Sequence, residues 1–209
     1  MDFAKAREEM IEDQILRRGV HDAVVLAAMR IVPREAFVPP DLADEAYEDR
    51  ALPIGEGQTV SQPFIVALML VAAKLESHNR VLEVGAGSGY AAAVISRIAE
   101  KVFGIERDDG LTQAARTRLE ALGYGNVELR TGDGSFGWQE AAPFDAIIVS
   151  AGGAHVPEAL KRQLADGGRL VMPVGPLIDQ RLVRLMRHGD EYTQDDLGGV
   201  RFVALVSES

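Results

Sequence analysis

The chain runs to 209 residues, 47% hydrophobic and 26% charged, the size and balance of one globular domain that buries a substantial core without covalent staples. It has no cysteine, which excludes disulfides, thiolate metal sites and cysteine nucleophiles. A net charge of −10 and the lack of any Lys/Arg block argue against nucleic acid as a partner, because phosphate neutralisation needs a basic surface.

The first residues, Met1-Asp2-Phe3-Ala4-Lys5, show no signal peptide, and no apolar run approaches the roughly 20 residues of a membrane span. A cytoplasmic protein without a membrane partner is therefore expected. Asp2 to Arg18 reads as a polar-faced helix with Phe3, Ala6, Met10 and Leu16 inward, closed by Gly19. Asp22 can cap a second helix through Met29, with Val24, Val25, Ala28 and Met29 apolar, and Pro33 stops it. Helices ahead of a first strand commonly lie across the mouth of a sheet, so this leader is a candidate lid or substrate-facing cap.

From Pro33 to Gln62, prolines and glycines break any periodicity and the segment is expected to be irregular. A loop that long inside a compact domain is either functional or conceals an element. Within it, Asp41, Asp44, Glu45, Glu48 and Asp49 crowd against Arg50 alone, the pattern of a solvated face. Gln58, Thr59, Ser61 and Gln62 then sit just before a helix from Pro63 to Leu75, with proline in its first turn. Spacing leaves two readings open: Ser61 or Gln62 merely caps that helix, or the four polar side chains converge on a site.

Arg80 to Val84 has the form of a short buried strand, followed by Gly85-Ala-Gly-Ser-Gly89 and an apolar helix, Ala91 to Ile98. Strand, glycine turn and helix N-terminus make the crevice at which doubly wound sheets bind nucleotide-like ligands. Tyr90 stands where the dinucleotide pattern Gly-x-Gly-x-x-Gly requires its last glycine, which tilts the ligand away from NAD. A second strand, Lys101 to Ile105, ends in Glu106, an acid placed to accept hydrogen bonds from two ribose hydroxyls. A third, Val127 to Arg130, leads into Gly132-Asp133-Gly134, where a carboxylate can reach an adenine amino group. These three segments, at these intervals, resemble those of class I S-adenosylmethionine-dependent methyltransferases.

The only tryptophan, Trp138, is expected to pack on the sheet edge. Phe144 to Ser150 is apolar enough for a central strand buried on both faces, ending in Ser150-Ala-Gly-Gly153 at the carboxyl edge. A helix over Val156 to Leu164 and a fifth strand over Arg169 to Val174 follow. Gln180 to Met186 and Val200 to Val206 read as two final strands, antiparallel to each other, joined by a polar turn from His188 to Gly199. The histidines at 21, 78, 155 and 188 show no metal-ligand spacing, and no nucleophile elbow supports a hydrolase. The fold class expected is α/β, a doubly wound Rossmann-like sheet, mostly parallel with an antiparallel C-terminal strand. Residues 1–79 would cap a cofactor-binding core over residues 80–209, the whole forming a single domain over residues 1–209.

Beyond the cofactor segments, the chain resembles the protein-L-isoaspartate (D-aspartate) O-methyltransferases nearly end to end. The likeness rests on Val32-Pro-Arg-Glu-Ala-Phe-Val38, Leu52-Pro-Ile-Gly-Glu-Gly-Gln-Thr-Val-Ser-Gln-Pro63 and Val81-Leu-Glu-Val-Gly-Ala-Gly-Ser-Gly-Tyr90. It continues through Gly132-Asp-Gly134, Pro143-Phe-Asp-Ala-Ile-Ile-Val149, Gly167-Gly-Arg-Leu-Val171, Pro173-Val-Gly175 and Val200-Arg-Phe-Val203. The block ending in Ser61-Gln62-Pro63 is the most specific, since methyltransferases in general lack it.

The resemblance implies methyl transfer from S-adenosylmethionine to the free α-carboxylate of isoaspartyl residues in damaged proteins and peptides, with S-adenosylhomocysteine as product and no metal. It puts the active-site hydroxyl on Ser61, with Thr59 and Gln62 beside it. Cofactor positions fall on Glu83, Gly85, Gly87, Gly89, Glu106, Asp133 and Gly134. Because a carboxylate is ionised at pH 7, Ser61 would position it without a general base, and backbone amides or Arg201 would supply further donors. A monomer is expected. The alternative is a methyltransferase of the same fold acting on a small molecule or another acceptor. Val60, Ser150-Ala-Gly-Gly153 and Ala204 stand where the family more often has isoleucine, Thr-Ala-Ala and proline; the last two bear on substrate range rather than reaction type.

Overall fold

A computed structural model describes residues 1–206. The leader begins with α1 (Phe3–Glu9), capped by the Asp2 carboxylate, which accepts from the Lys5 amide at 3.1 Å. The helix then widens into a π-helical stretch, Met10–Ile15, and tightens into a 3-10 turn, Leu16–Arg18, which Gly19 closes in the left-handed conformation. That change of pitch corrects the inward set expected from an unbroken helix. It shifts the phase of the chain so that Ile11 and Ile15 join Met10 in the core, while Leu16 is only partly buried. Helix α2 (Ala23–Ile31) starts as predicted from Asp22, whose Oδ1 accepts from the Val24 and Val25 amides at 3.0 Å each.

The segment expected to be irregular holds two 3-10 turns, Arg34–Phe37 and Pro40–Glu45, and then a hairpin of β1 (Leu52–Gly55) and β2 (Gln58–Val60). Gly55, Glu56 and Gly57 all have positive φ, so the glycines that read as breakers make the hairpin turn. Pro53 was no obstacle, because this two-stranded sheet has only one ladder and proline is tolerated at its edge. Arg50 pairs with Glu45 and Glu48, and Arg18 with Asp49, along the exposed acidic face.

After α3 (Pro63–Ala73) come β3 (Arg80–Val84), α4 (Tyr90–Ser96), β4 (Lys101–Glu106), α5 (Asp109–Ala121), β5 (Val127–Thr131), β6 (Phe144–Val149), α6 (Glu158–Arg162), β7 (Leu164–Val174), β8 (Gln180–His188) and β9 (Glu191–Val200). The seven-stranded sheet runs β5-β4-β3-β6-β7-β8-β9. Strands β3 to β7 are parallel, β8 is antiparallel to β7, and β9 is antiparallel to β8. Side chains alternate between two cores. Val81, Val102, Ala146, Ile148 and Val171 belong to the core shared with the leader, α3 and α4, whereas Leu82, Val84, Ile105, Ile147 and Val149 belong to the one shared with Leu160 of α6.

Further elements differ from expectation, β7 among them, which begins at Leu164 rather than Arg169 because Leu164 already pairs with Phe144. Helix α5 carries no clear sequence signal: its buried side chains are only Leu111, Thr112, Ala115 and Leu119 among polar neighbours, and the Asp108 cap, accepting from the Leu111 amide at 2.8 Å, fixes its start. The last strand is Glu191–Val200 rather than Val200–Val206, and the turn before it is confined to Gly189 and Asp190. An edge strand facing solvent on both sides shows no apolar alternation. Its pairing to β8 is reinforced by Arg181–Asp196 and Arg184–Asp195. The apolar residues 202–206 turn back along the carboxyl edge of the sheet instead. Trp138 packs edge-on against Phe103, centroids 5.5 Å apart, as expected.

Candidate active site

The chain moves outward from β3 to β4 and β5, then crosses back to place β6 on the other side of β3, which makes the carboxyl ends of β3 and β6 a switch point. Val84 is level with Ile105 on one side and Val149 on the other, so three strands end on one edge. Gly85, Gly87 and Gly89 have φ of +82°, +52° and +86°, which side chains rarely adopt. The loop is anchored by the Gly85 and Ala86 amides, which donate to the Ile105 carbonyl at 2.8 and 3.1 Å. Gly89 precedes α4 and packs on α5, where a Cβ would meet Leu119 Cδ1 at 3.2 Å.

Glu106 is buried at the end of β4. Its Oε2 accepts from the Gly87 amide at 2.8 Å and its Oε1 from the Asp108 amide at 3.1 Å. Both oxygens are thereby aimed, and each keeps lone-pair capacity for a ligand hydroxyl. Glu83, 1% exposed, lies on the same wall with Oε2 lacking any partner. Burial first, then the charge of Glu106, raises its carboxyl pKa well above the ordinary value, against the opposing pull of the Ala92 backbone amide.

These groups face a cavity that encloses about 1000 Å³ with its open mouth included. Gln58, Thr59 and Ser61 line it from the hairpin side, Ser150 and Ala151 from the end of β6, and Val203 to Val206 from the tail. Ser61 presents a hydroxyl that makes no hydrogen bond among the described residues, while its carbonyl accepts from Arg34 Nη2 at 2.8 Å. It does not cap α3: Gln62 occupies that position without a side-chain capping bond. The tail is strapped down by main-chain bonds from Gly152 N to Val203 O at 2.8 Å and from Leu205 N to Gly152 O at 2.7 Å. Buried Gln180 brackets the Phe202 backbone, its Oε1 accepting from the amide at 2.6 Å and its Nε2 donating to the carbonyl at 3.3 Å.

Of the residues singled out from sequence, the cavity thus gathers Thr59, Ser61, Glu83, Gly85, Gly87, Glu106 and Gly134. Four lie off it. Gly89 packs between helices, and Gln62 turns away to donate to Asp49 Oδ1 at 2.7 Å. Asp133 caps a short turn by accepting from the Ser135 amide at 2.8 Å, and Arg201 is exposed before the tail enters the cavity. Arg34 and the tail residues Val203, Leu205 and Val206 carry no expected site role, although Arg34 and Val203 lie in segments that support the resemblance and Ala204 is expected near the substrate side. The four histidines are exposed, and among the described residues no cluster of His, Cys, Asp or Glu could hold a metal ion. Among them, too, no helix is long and apolar enough to cross a membrane.

A family model described as protein-L-isoaspartate(D-aspartate) O-methyltransferase matches residues 5–209. The chain belongs to this family. It is 60% identical over 206 residues to the protein-L-isoaspartate O-methyltransferase of Methylorubrum extorquens strain PA1, covering 98% of this chain and 90% of that one. With the corresponding protein of Syntrophobacter fumaroxidans it is 50% identical over 208 residues, 100% of this chain and 97% of the relative. A solved protein-L-isoaspartate O-methyltransferase superposes with a TM-score of 0.87 at 31% identity, over 96% of this chain and 66% of that structure. A Plasmodium falciparum chain assigned to the same enzymes, solved in complex with S-adenosyl-L-homocysteine, gives 0.83 at 26% identity, over 96% and 98%.

As a methyltransferase of this family, the chain uses S-adenosylmethionine, and its cavity fits that group. The glycine loop leaves room for close approach, Glu106 presents two aimed acceptors that suit a vicinal diol, and one Glu83 oxygen stands on the cavity wall without a partner.

Proposed function

We propose that this chain methylates the free α-carboxylate of L-isoaspartyl residues, and of D-aspartyl residues, in damaged proteins and peptides, with Ser61 holding the acceptor. One observation carries the proposal: in a chain that matches the family over residues 5–209, the end of the hairpin brings Ser61 onto the same cavity wall system as Glu83, the glycine loop and Glu106. Residues 1–79 act in this scheme as a substrate-side cap on the cofactor core of residues 80–209. The cap contributes the hairpin, Thr59 and Ser61.

Bound S-adenosylmethionine supplies an electrophilic methyl group on a sulfonium sulfur. Glu106 would accept the ribose hydroxyls, and the Glu83 carboxyl would lie on the wall beside the positive charge. The acceptor carboxylate, with a pKa of about 4, is already ionised at pH 7, so no base is needed and Ser61 donates a hydrogen bond to it without acting as nucleophile. Transfer would join the carboxylate oxygen to that methyl carbon with the carbon–sulfur electron pair left on sulfur, and Ser61 would hold the carboxylate for it. Alignment of these atoms is the main task of the protein, an effect capable of supplying roughly 7–11 kcal/mol when geometry is ideal.

The test is transfer of a labelled methyl group from S-adenosylmethionine to a synthetic peptide with one L-isoaspartyl residue, beside the same peptide with ordinary aspartate. Label on the isoaspartyl peptide alone is the expected result. Cofactor binding with label on neither peptide would move the acceptor to another class, and no cofactor binding would overturn the proposal entirely.

A further inference from the structure

Arg34, in the turn Arg34–Phe37, is 0% exposed and heads the fully buried side chains by size. Its Nε donates to the Ala46 carbonyl at 2.7 Å and its Nη2 to the Ser61 carbonyl at 2.8 Å. Its guanidinium carbon lies 4.8 Å from the ring centre of Tyr90, the first residue of α4 and part of the cavity wall. One side chain thus touches the leader, the acceptor segment and the helix that follows the glycine loop. Arg34 Nη1 and the Tyr90 hydroxyl are both buried without a well-formed hydrogen bond, and no carboxylate of the described residues lies within ion-pair distance of the guanidinium. By contrast, Arg7 and Arg30 of the same leader pair with Glu35 and Glu8. Arginine stays charged in proteins, and burying that charge without a counter-ion is costly.

We propose that Arg34 is a positioning residue of the transfer reaction, fixing Ser61 against Tyr90 and supplying the local positive charge by which the Ser61 side of the cavity takes an anionic acceptor. The inference rests on the assignment of Ser61 as holder of the acceptor carboxylate. Covalent geometry keeps a serine hydroxyl within about 4 Å of its own carbonyl oxygen, so the Ser61 hydroxyl lies within about 7 Å of Arg34 Nη2. Glu83, Glu106 and Arg107 line the same cavity. The titratable groups facing Arg34 are Tyr90 from α4 and Tyr47, with the Arg7–Glu35 pair beyond Tyr47. Their own titrations are common to the parent and to any Arg34 variant.

Arg34→Met and Arg34→Lys test this beside Ser61→Ala, by steady-state kinetics on an isoaspartyl peptide, calorimetric titration with S-adenosylhomocysteine, and kcat from pH 4 to 8. Arg34→Met is expected to bind S-adenosylhomocysteine within about threefold of the parent while KM for the peptide rises about tenfold or more. The acid limb of kcat should move up by roughly 0.5–1 pH unit, because the bound carboxylate has lost a nearby cation. Arg34→Lys keeps the charge and loses the fork, so its acid limb should stay at the parental pH while KM rises severalfold. An unmoved KM and acid limb in Arg34→Met, or a parental KM in Arg34→Lys, overturns the inference. If the methionine variant does not fold, the KM of the lysine variant decides. A fully active Ser61→Ala would sink the Ser61 assignment itself, whereas a silent Arg34→Met beside an inactive Ser61→Ala would sink only the role of Arg34.

Discussion

Replacing Glu83 by glutamine is expected to stabilise the ligand-free protein while weakening its hold on the cofactor. The carboxyl is 1% exposed, one oxygen has no partner, and burial together with Glu106 raises its pKa well above the ordinary 4.5. A carboxyl whose folded pKa exceeds its unfolded one binds its proton more tightly in the native state. Stability is therefore fullest below pH 4.5 and declines as the pH rises toward the folded pKa, at up to about 1.4 kcal/mol per pH unit. Glutamine keeps the volume, can accept from the Ala92 amide and never ionises. The gain in unfolding free energy of Glu83→Gln should thus be small near pH 4.5 and grow as the pH rises toward 7. Urea unfolding followed by circular dichroism at pH 5, 6 and 7 measures it. A difference between the two proteins that stays constant across this range would refute the raised pKa.

The same substitution removes negative charge from the cavity wall. S-adenosylmethionine carries a sulfonium cation that S-adenosylhomocysteine lacks, so calorimetric titration should show the first losing about tenfold more affinity than the second, a difference of about 1.4 kcal/mol. Equal losses would leave Glu83 without a charge-dependent role in binding.

Glu106→Ala should weaken the cofactor by on the order of 100-fold, through loss of two hydrogen bonds to a charged acceptor at about 1.5 kcal/mol each. Unchanged affinity in an isothermal titration would remove the ribose assignment. Gln180→Ala deletes both bonds that bracket Phe202, at a cost of about 1–2 kcal/mol, and loosens the tail that lines the cavity. Its KM for the isoaspartyl peptide should rise while S-adenosylhomocysteine affinity is kept, and an unaltered KM would detach the tail from acceptor binding.

The cofactor half of the site was legible in sequence because its parts are local and repeat a fixed order. Strand β3, its glycine turn and the acid at the end of β4 each announce themselves within a few residues, and their registers fall where the spacing places them. The acceptor half is assembled from segments far apart in the chain, so only family resemblance pointed to it. Pro53 and the glycines at 55 and 57 hid a hairpin behind the signals of a loop. Residues 203–206 looked like a strand, because apolar character does not tell a sheet ladder from a strap laid over the end of one. Arg34 stood out only as part of the block from Val32 to Val38, since nothing in a sequence marks an arginine as buried. The structure also gives Gly152 a reason: a Cβ there would strike the Gln180 amide that brackets Phe202, so the small residue after Ala151 is required by the clamp on the tail.

The charge of the whole molecule bears on which isoaspartyl sites it favours. At −10, the protein repels an anionic acceptor at long range, and the acidic run from Asp41 to Asp49, although partly paired with Arg18 and Arg50, contributes to that repulsion. That run abuts the acceptor side, since Gln62 beside Ser61 bonds to Asp49. Peptides with basic residues flanking the isoaspartyl unit should therefore bind better than acidic ones, by a margin that shrinks with salt, as the screening length falls from about 30 Å at 0.01 M to about 8 Å at 0.15 M. KM measured at both ionic strengths should rise with salt for a Lys-flanked peptide, fall for a Glu-flanked one and hardly move for an Ala-flanked one. Three parallel salt responses would show that acceptor selection is set within the cavity, by groups such as Ser61 and Arg34, and not by the acidic surface around it.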